Sequence, residues 1–220
     1  MNETQKKAVG TFAVSMVHSG MKIGIGTGST VHYFIKALLE KNRLSPLSLQ
    51  VVCTSKASEN ELKGTFPLLS NTLDTPPDIT FDGADRIDDE FRLIKGGGGA
   101  LFREKMVALV SKENVVLVDE SKWSNPLSGF PVAIEIAAFG MFSTISRLQK
   151  LGYRGMLREG VTDNGNRIFD IAFDGPIHRP EEHHSAIKSV AGVLETGFFF
   201  DTVKTAIVGL KSGKVEVRKK

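Results

Sequence analysis

The chain has 220 residues, 41% hydrophobic and 24% charged, enough apolar material for a core, which excludes a disordered tail or a collagen-like fibre. No apolar run approaches the roughly 18 residues of a membrane helix, and at about 150 residues per domain the length allows one to two domains. The net charge of +3 arises from 28 basic and 25 acidic residues that are scattered apart from Arg218-Lys219-Lys220, whereas a nucleic-acid surface needs a dense basic stripe with interleaved aromatics.

The polar start, Met1 to Lys7, lacks the apolar centre of a signal peptide, so a cytoplasmic protein is expected. Asn2-Glu3-Thr4 fits a glycosylation pattern that carries no meaning without secretion. Over 4–18, Ala8, Phe12, Ala13, Met16 and Val17 recur at helical spacing. Met21–Gly26 reads as a short strand ending in glycines. A second helix follows, with Val31, Phe34, Ile35, Leu38 and Leu39 on one face. Leu49–Thr54 reads as a buried strand containing the single cysteine, Cys53, which alone can form neither an internal disulfide nor a multi-cysteine zinc site. A helix over 57–62 and a short strand near 66–69 follow, then a Pro76-Pro77 break and a strand at Ile79–Asp82. Helical periodicity covers 100–110, and Asn114–Asp119 is a β-branched run. Strand alternating with helix predicts a parallel α/β sheet.

Beyond about residue 130 the pattern changes. A strand at 131–136, a helix at 142–151, a hairpin over 156–172 turned at Asp163-Asn164-Gly165, a helix at 181–190 and a strand at 193–200 describe a small antiparallel α+β domain. A final hairpin, 205–210 with 214–217, turns at Ser212-Gly213. The expected division is 1–130 with 201–220 for the larger domain and 131–200 for the smaller.

Three clusters follow predicted strands, where open parallel sheets bind ligands. In Gly24-Ile25-Gly26-Thr27-Gly28-Ser29-Thr30, glycines allow close backbone approach, and the helix that follows offers N–H groups to an anion. A dinucleotide fingerprint would need Gly at Ser29 and an acid some 20 residues on, and a Gly-Lys-Ser/Thr is also missing. The alternative is a plain capped turn. Asp82-Gly83-Ala84-Asp85 places two acids where they suit sugar hydroxyls or Mg²⁺, although Asp82 also suits a turn cap. Asp88, Asp89 and Glu90 read as a solvated loop. Lys95-Gly96-Gly97-Gly98-Gly99 joins a cation to four entropically expensive glycines, suited to a nest of N–H groups facing an oxyanion. Glu104 follows in the next helix, as a site residue or as a dipole-complementing surface acid. His183 and His184 read as surface residues, Cys53 as a buried small hydrophobe, and Trp123 and Phe198–Phe200 as core or interface.

Taken together and in this order, Gly-Thr-Gly-Ser-Thr, Asp-Gly-Ala-Asp, Lys-Gly-Gly-Gly-Gly-Ala with Arg103-Glu104-Lys105, and Thr162-Asp163-Asn164-Gly165-Asn166 resemble the ribose-5-phosphate isomerase A family over essentially the whole chain. The resemblance implies a Rossmann-like parallel sheet with a small α+β domain. It also implies an aldose–ketose isomerase of the pentose phosphate pathway that uses no metal or nucleotide cofactor and is usually a homodimer, sometimes a homotetramer. By position, Glu104 corresponds to the general base. Lys95 and the Gly96, Gly97 and Gly98 amides correspond to the groups stabilising a cis-enediolate, and Asp82 and Asp85 to hydroxyl-binding acids, Asp82 assisting ring opening. Thr27, Gly28, Ser29 and Thr30 match the substrate-binding loop, Gly83 and Ala84 complete the Asp-Gly-Ala-Asp stretch, and Lys122 and Lys6 match phosphate or hydroxyl contacts. The chain departs from the family at Arg86, where Glu is usual, and at Phe102, often Thr. Other readings are a phosphosugar sensor, for which a DNA-binding segment is missing before residue 20, and an aminosugar-phosphate isomerase or sugar lactonase.

Overall fold

A computed structural model describes residues 3–220; the Asn2 glycosylation pattern begins outside the described residues. In chain order the elements are α1 (Glu3–Val14), β1 (Lys22–Ile25), α2 (Ser29–Leu44), β2 (Gln50–Cys53), α3 (Lys56–Leu62), β3 (Ile79–Gly83), β4 (Arg86–Ile87), β5 (Leu93–Ile94), α4 (Leu101–Val110) and β6 (Glu113–Asp119). They continue with a 3-10 turn (Glu120–Lys122), β7 (Val132–Ile136), α5 (Met141–Lys150), β8 (Gly155–Leu157), β9 (Arg167–Ile171), α6 (Pro180–Lys188), β10 (Val193–Thr196), β11 (Phe198–Phe199), β12 (Thr205–Gly209) and β13 (Val215–Lys219). Among the described residues no helix is long and apolar enough to cross a membrane.

The chain forms two compact units. The first takes the segments up to Ala84, Arg103–Lys122 and Thr202–Lys220; the second takes Asp85–Phe102 and Trp123–Asp201. The chain therefore crosses four times rather than the two times suggested by a boundary near 130. The cause is long-range pairing. The β4–β5 hairpin joins β11 in a three-stranded antiparallel sheet, and Ser124 donates its N–H to the Ile87 carbonyl at 2.8 Å.

The first unit holds a six-stranded sheet in the order β13-β12-β6-β3-β1-β2, parallel throughout except for β13. The buried faces of β1, β3 and β6 meet α1 and α2 in one core containing Val9, Ile23, Ile25, Phe34, Leu38, Phe81, Val115 and Leu117. Phe34 of α2 stacks on Phe81 of β3 with ring centroids 4.5 Å apart, a geometry worth about 0.5–1.5 kcal/mol beyond area burial. The expected strand near 66–69 reduces to one bridge between Leu68 and Val51. Cys53 is buried, and desolvation pushes its thiol up to about 12, which leaves it an inert apolar filler rather than a nucleophile.

The second unit holds a four-stranded antiparallel sheet, β10-β7-β9-β8. One face of it, with Val132, Ile134, Ile136, Phe169 and Ile171, packs with Leu148 of α5 and Ile187 of α6. Ala133 and Ile168 form a separate small cluster with Leu101. The strand expected over 193–200 is two strands in two sheets, broken at Gly197. The Gly197 carbonyl accepts from Lys95 N–H at 2.8 Å and its own N–H reaches the Ala133 carbonyl at 2.7 Å; a Cβ here would strike the Lys95 carbonyl. His183 and His184 are half-buried rather than surface residues. His183 contacts the Tyr153 hydroxyl at 3.1 Å and His184 the Thr196 hydroxyl at 2.7 Å.

Candidate active site

In the first unit the strand order reverses at β1. The chain passes outward from β1 to β2 and returns to β3 on the other side, which opens the crevice that parallel sheets use for ligands. The register pairs Ile25 with Phe81, so the next residues, Gly26 and Asp82, lie side by side. A Cβ on Gly26 would collide with the Asp82 carboxylate and sit 2.6 Å from its Cβ. Glycine at 26 is thus the condition for Asp82 to occupy this place. Asp82 Oδ1 accepts the N–H of Thr27 at 3.1 Å and of Gly83 at 2.7 Å, which fixes the orientation of the carboxylate.

Beyond Thr27, whose hydroxyl meets that of Thr54 at 2.8 Å, Gly28 caps α2 with φ 118 and no side-chain hydrogen bond. Ser29 is exposed and Thr30 is buried in the first turn of α2, which contains no acid. This N-terminus suits an anion through its N–H groups and dipole. Gly83 and Ala84 are half-buried at the end of β3. Lys122 closes the 3-10 turn after β6 and is half-buried; Asp119 before it is buried and accepts the Ser121 N–H at 2.8 Å. Lys6 lies on α1, half-buried. Glu104 sits in the first turn of α4 and is only 4% exposed; a surface acid would be solvated, so that alternative fails.

In the second unit, Asp85 N–H bonds to the Ile94 carbonyl at 2.8 Å, and Gly99 N–H closes a turn onto the Gly96 carbonyl at 3.0 Å. Gly96 and Gly99 have φ of 105 and 80, values that disfavour any side chain. Asp85 Oδ2 accepts the Gly97 N–H at 2.8 Å. Of the three amides matched to enediolate stabilisation, Gly97 therefore serves Asp85. The Gly98 N–H makes no hydrogen bond among the described residues. Lys95 is 4% exposed, with its ammonium 5.6 Å from the centroid of the Phe199 ring, a cation–π contact that favours the charged side chain in an apolar setting.

Arg86 spends its charge on backbone. It donates to the carbonyls of Asp85, Ser128 and Gly129 at 2.7, 2.7 and 2.6 Å and lies over Phe130. The expected solvated loop fails at Asp88, which is fully buried. Its Oδ1 takes the N–H of Glu90 and of Arg92, and its Oδ2 pairs with the Arg92 guanidinium at 2.7 Å. Turn closure requires those acceptors, and no local periodicity reveals that. Sequence reasoning also passed over Glu135, fully buried, whose Oε1 accepts from Thr162, Asn164 and Asn166 at 2.9, 3.2 and 2.9 Å. An acid in the middle of the apolar run Val132–Ile136 was the available signal. Among the described residues no group of three or more His, Cys, Asp or Glu is placed to hold a metal ion.

The family model for ribose 5-phosphate isomerase A (phosphoriboisomerase A) matches residues 50–213. The chain is 43% identical to the ribose-5-phosphate isomerase A of Protochlamydia amoebophila over 219 residues, 96% of this chain and 94% of that one. It is 44% identical to that of Bacillus mycoides over 94% of this chain and 96% of that one. The solved ribose 5-phosphate isomerase A of Methanocaldococcus jannaschii superposes with a TM-score of 0.92 at 36% identity, covering 100% of both chains. A D-ribose-5-phosphate isomerase solved with phospho-erythronic acid has a TM-score of 0.92 at 34% identity, again covering 100% of both.

Proposed function

Since the chain belongs to the ribose-5-phosphate isomerase A family, we propose a division of labour among its residues for the interconversion of ribose 5-phosphate and ribulose 5-phosphate. That reaction, an aldose–ketose isomerisation of pentose phosphate metabolism, follows from the family, and the sensor, aminosugar and lactonase readings give way to it. Glu104 is the base. It removes the proton from C2 of the open-chain aldose while the C1 carbonyl oxygen takes up the electron pair, the C2 hydroxyl proton passes to the C1 oxygen in the enediolate, and Glu104 returns its proton to C1 as the C2 oxygen becomes the carbonyl. Burial of Glu104 in the first turn of α4 carries this assignment, because a carboxylate held in one place out of bulk water can carry a proton between two adjacent carbons of a bound sugar.

The enediolate oxygens carry the developing charge. Lys95 and the amides of the glycine turn answer it, Gly98 foremost because Gly97 is engaged by Asp85. Asp82, held by two N–H groups, assists ring opening, and Asp85 binds a sugar hydroxyl. Thr27 to Thr30, with Lys122 and Lys6, receive the phosphorylated end. The phospho-erythronic acid bound by a relative fits this reading. Its carboxylate is a planar anion beside a hydroxyl-bearing carbon, much like the charged end of the intermediate.

Conversion of ribulose 5-phosphate in D2O is expected to place deuterium at C2 of ribose 5-phosphate, seen as loss of that proton signal by NMR, at a rate unchanged by EDTA. Product still free of deuterium after many turnovers at equilibrium would rule out the proton-transfer route. We also infer a homodimer in the cytoplasm. Phe139, Phe142 and Met156 of the second unit are 97%, 70% and 78% exposed, apolar area that association would cover. Light scattering should give twice the 23.9 kDa chain mass; a monomer at micromolar concentration would refute this.

A further inference from the structure

The glycine turn does not hold its own shape. Four glycines have the widest conformational freedom of any sequence, and the turn is closed by one internal hydrogen bond, Gly99 N–H to the Gly96 carbonyl. Two outside groups specify it. Asp85 Oδ2 holds the Gly97 N–H, and a Cβ on Gly97 would lie 2.7 Å from Asp85 Oδ1. From the other side Arg158, just after β8, donates Nη1–H to the carbonyls of Gly96 at 3.0 Å and Gly97 at 3.2 Å. Arg158 is itself aimed by Asp170 of β9, which takes its Nε–H at 2.9 Å and Nη2–H at 2.6 Å. This bidentate fork fixes the plane of the guanidinium.

The consequence follows from peptide geometry. In a planar trans peptide the C=O and the following N–H point in opposite directions. With the Gly97 carbonyl drawn to Arg158, the Gly98 N–H is turned away from the β8–β9 hairpin. With the Gly96 carbonyl drawn the same way, the Gly97 N–H is delivered to Asp85. We propose that Arg158, aimed by Asp170, is a positioning residue that orients the glycine turn so that the Gly98 N–H is presented to the substrate oxygen. This rests on the reading of the turn as the enediolate-stabilising element. Arg158 touches no substrate atom; it acts through two carbonyls.

The test compares Arg158→Met, Arg158→Lys and Asp170→Asn with the unaltered enzyme for kcat, KM and phospho-erythronic acid affinity, with circular dichroism as the check on folding. A misplaced stabilising group costs mainly in the transition state. The expected result is a kcat about 10- to 100-fold lower with KM little changed, weaker phospho-erythronic acid binding, and a smaller loss for Arg158→Lys. Ethylguanidine added to Arg158→Ala should restore part of kcat, which a merely structural role would not permit. A folded Arg158→Met or Asp170→Asn with unchanged kcat, or with raised KM alone, overturns the proposal. Should Arg158→Met not fold, Arg158→Lys and Asp170→Asn carry the same test. Gly98→Pro, which deletes the N–H, separates the two layers. If folded Gly98→Pro keeps full kcat, the reading of the turn itself falls; if it is inactive while Arg158→Met is normal, only the role of Arg158 falls.

Discussion

Glu104→Gln is expected to lower kcat about a thousandfold or more, within the range that a general base contributes, while leaving KM for ribose 5-phosphate within a few-fold. The substitution keeps the shape of a side chain that is 4% exposed, so the fold should survive, with an unchanged circular dichroism spectrum as the check. On the proposed reading it removes the ability to accept the C2 proton. Glu104→Asp retains a carboxylate but withdraws it by one methylene, and a displacement of that order costs about a hundredfold. An assay that follows ribulose 5-phosphate production reads both. Near-normal turnover by Glu104→Gln would remove Glu104 from the base role without touching the family assignment, which rests on full-length similarity.

Gly26→Ala should damage both stability and turnover. The new Cβ would occupy the space of the Asp82 carboxylate and lie 2.6 Å from the Asp82 Cβ. Asp is too short to swing clear without moving its own backbone, and that backbone belongs to β3, paired to β1 on one side and β6 on the other. Overpacking of this kind costs about 1–3 kcal/mol, measurable as a lower midpoint of thermal unfolding. It also breaks the bonds from Thr27 and Gly83 to Asp82 Oδ1, so kcat/KM should fall about a hundredfold. If the loss runs through Asp82, adding Asp82→Ala to Gly26→Ala should cost little more, since two changes acting on one interaction are not additive. Full additivity of the two would show that Gly26 matters for another reason.

Much of the candidate site was legible because its signals are local. A strand ending in Gly24-Ile25-Gly26 and a helix starting at Ser29 declare themselves through periodicity and turn chemistry within a few residues. The same holds for Asp82 at the end of a β-branched run and for the glycines before Leu101. Asp88 and Arg158 were not legible, and Glu135 was marked only by its place in an apolar run. Each acquires its role from a backbone or side chain that the fold brings to it. Asp88 is buried by the turn it closes, Glu135 by the Thr162–Asn166 loop, and Arg158 meets a turn some 60 residues away in the chain.

The amino-acid order by itself settled the kind of the longer elements, the alternation that demands a parallel sheet, and the set of chemical groups on offer. All of these depend on backbone preferences and side-chain types within one turn or one strand. The tertiary structure alone decided that Val193–Phe200 is split between two sheets, that β5 pairs with β11 as well as with β4, and that the glycine turn is held by Asp85 on one side and Arg158 on the other. These outcomes depend on hydrogen bonds between distant segments, and a backbone N–H or carbonyl carries no mark of the partner it will find.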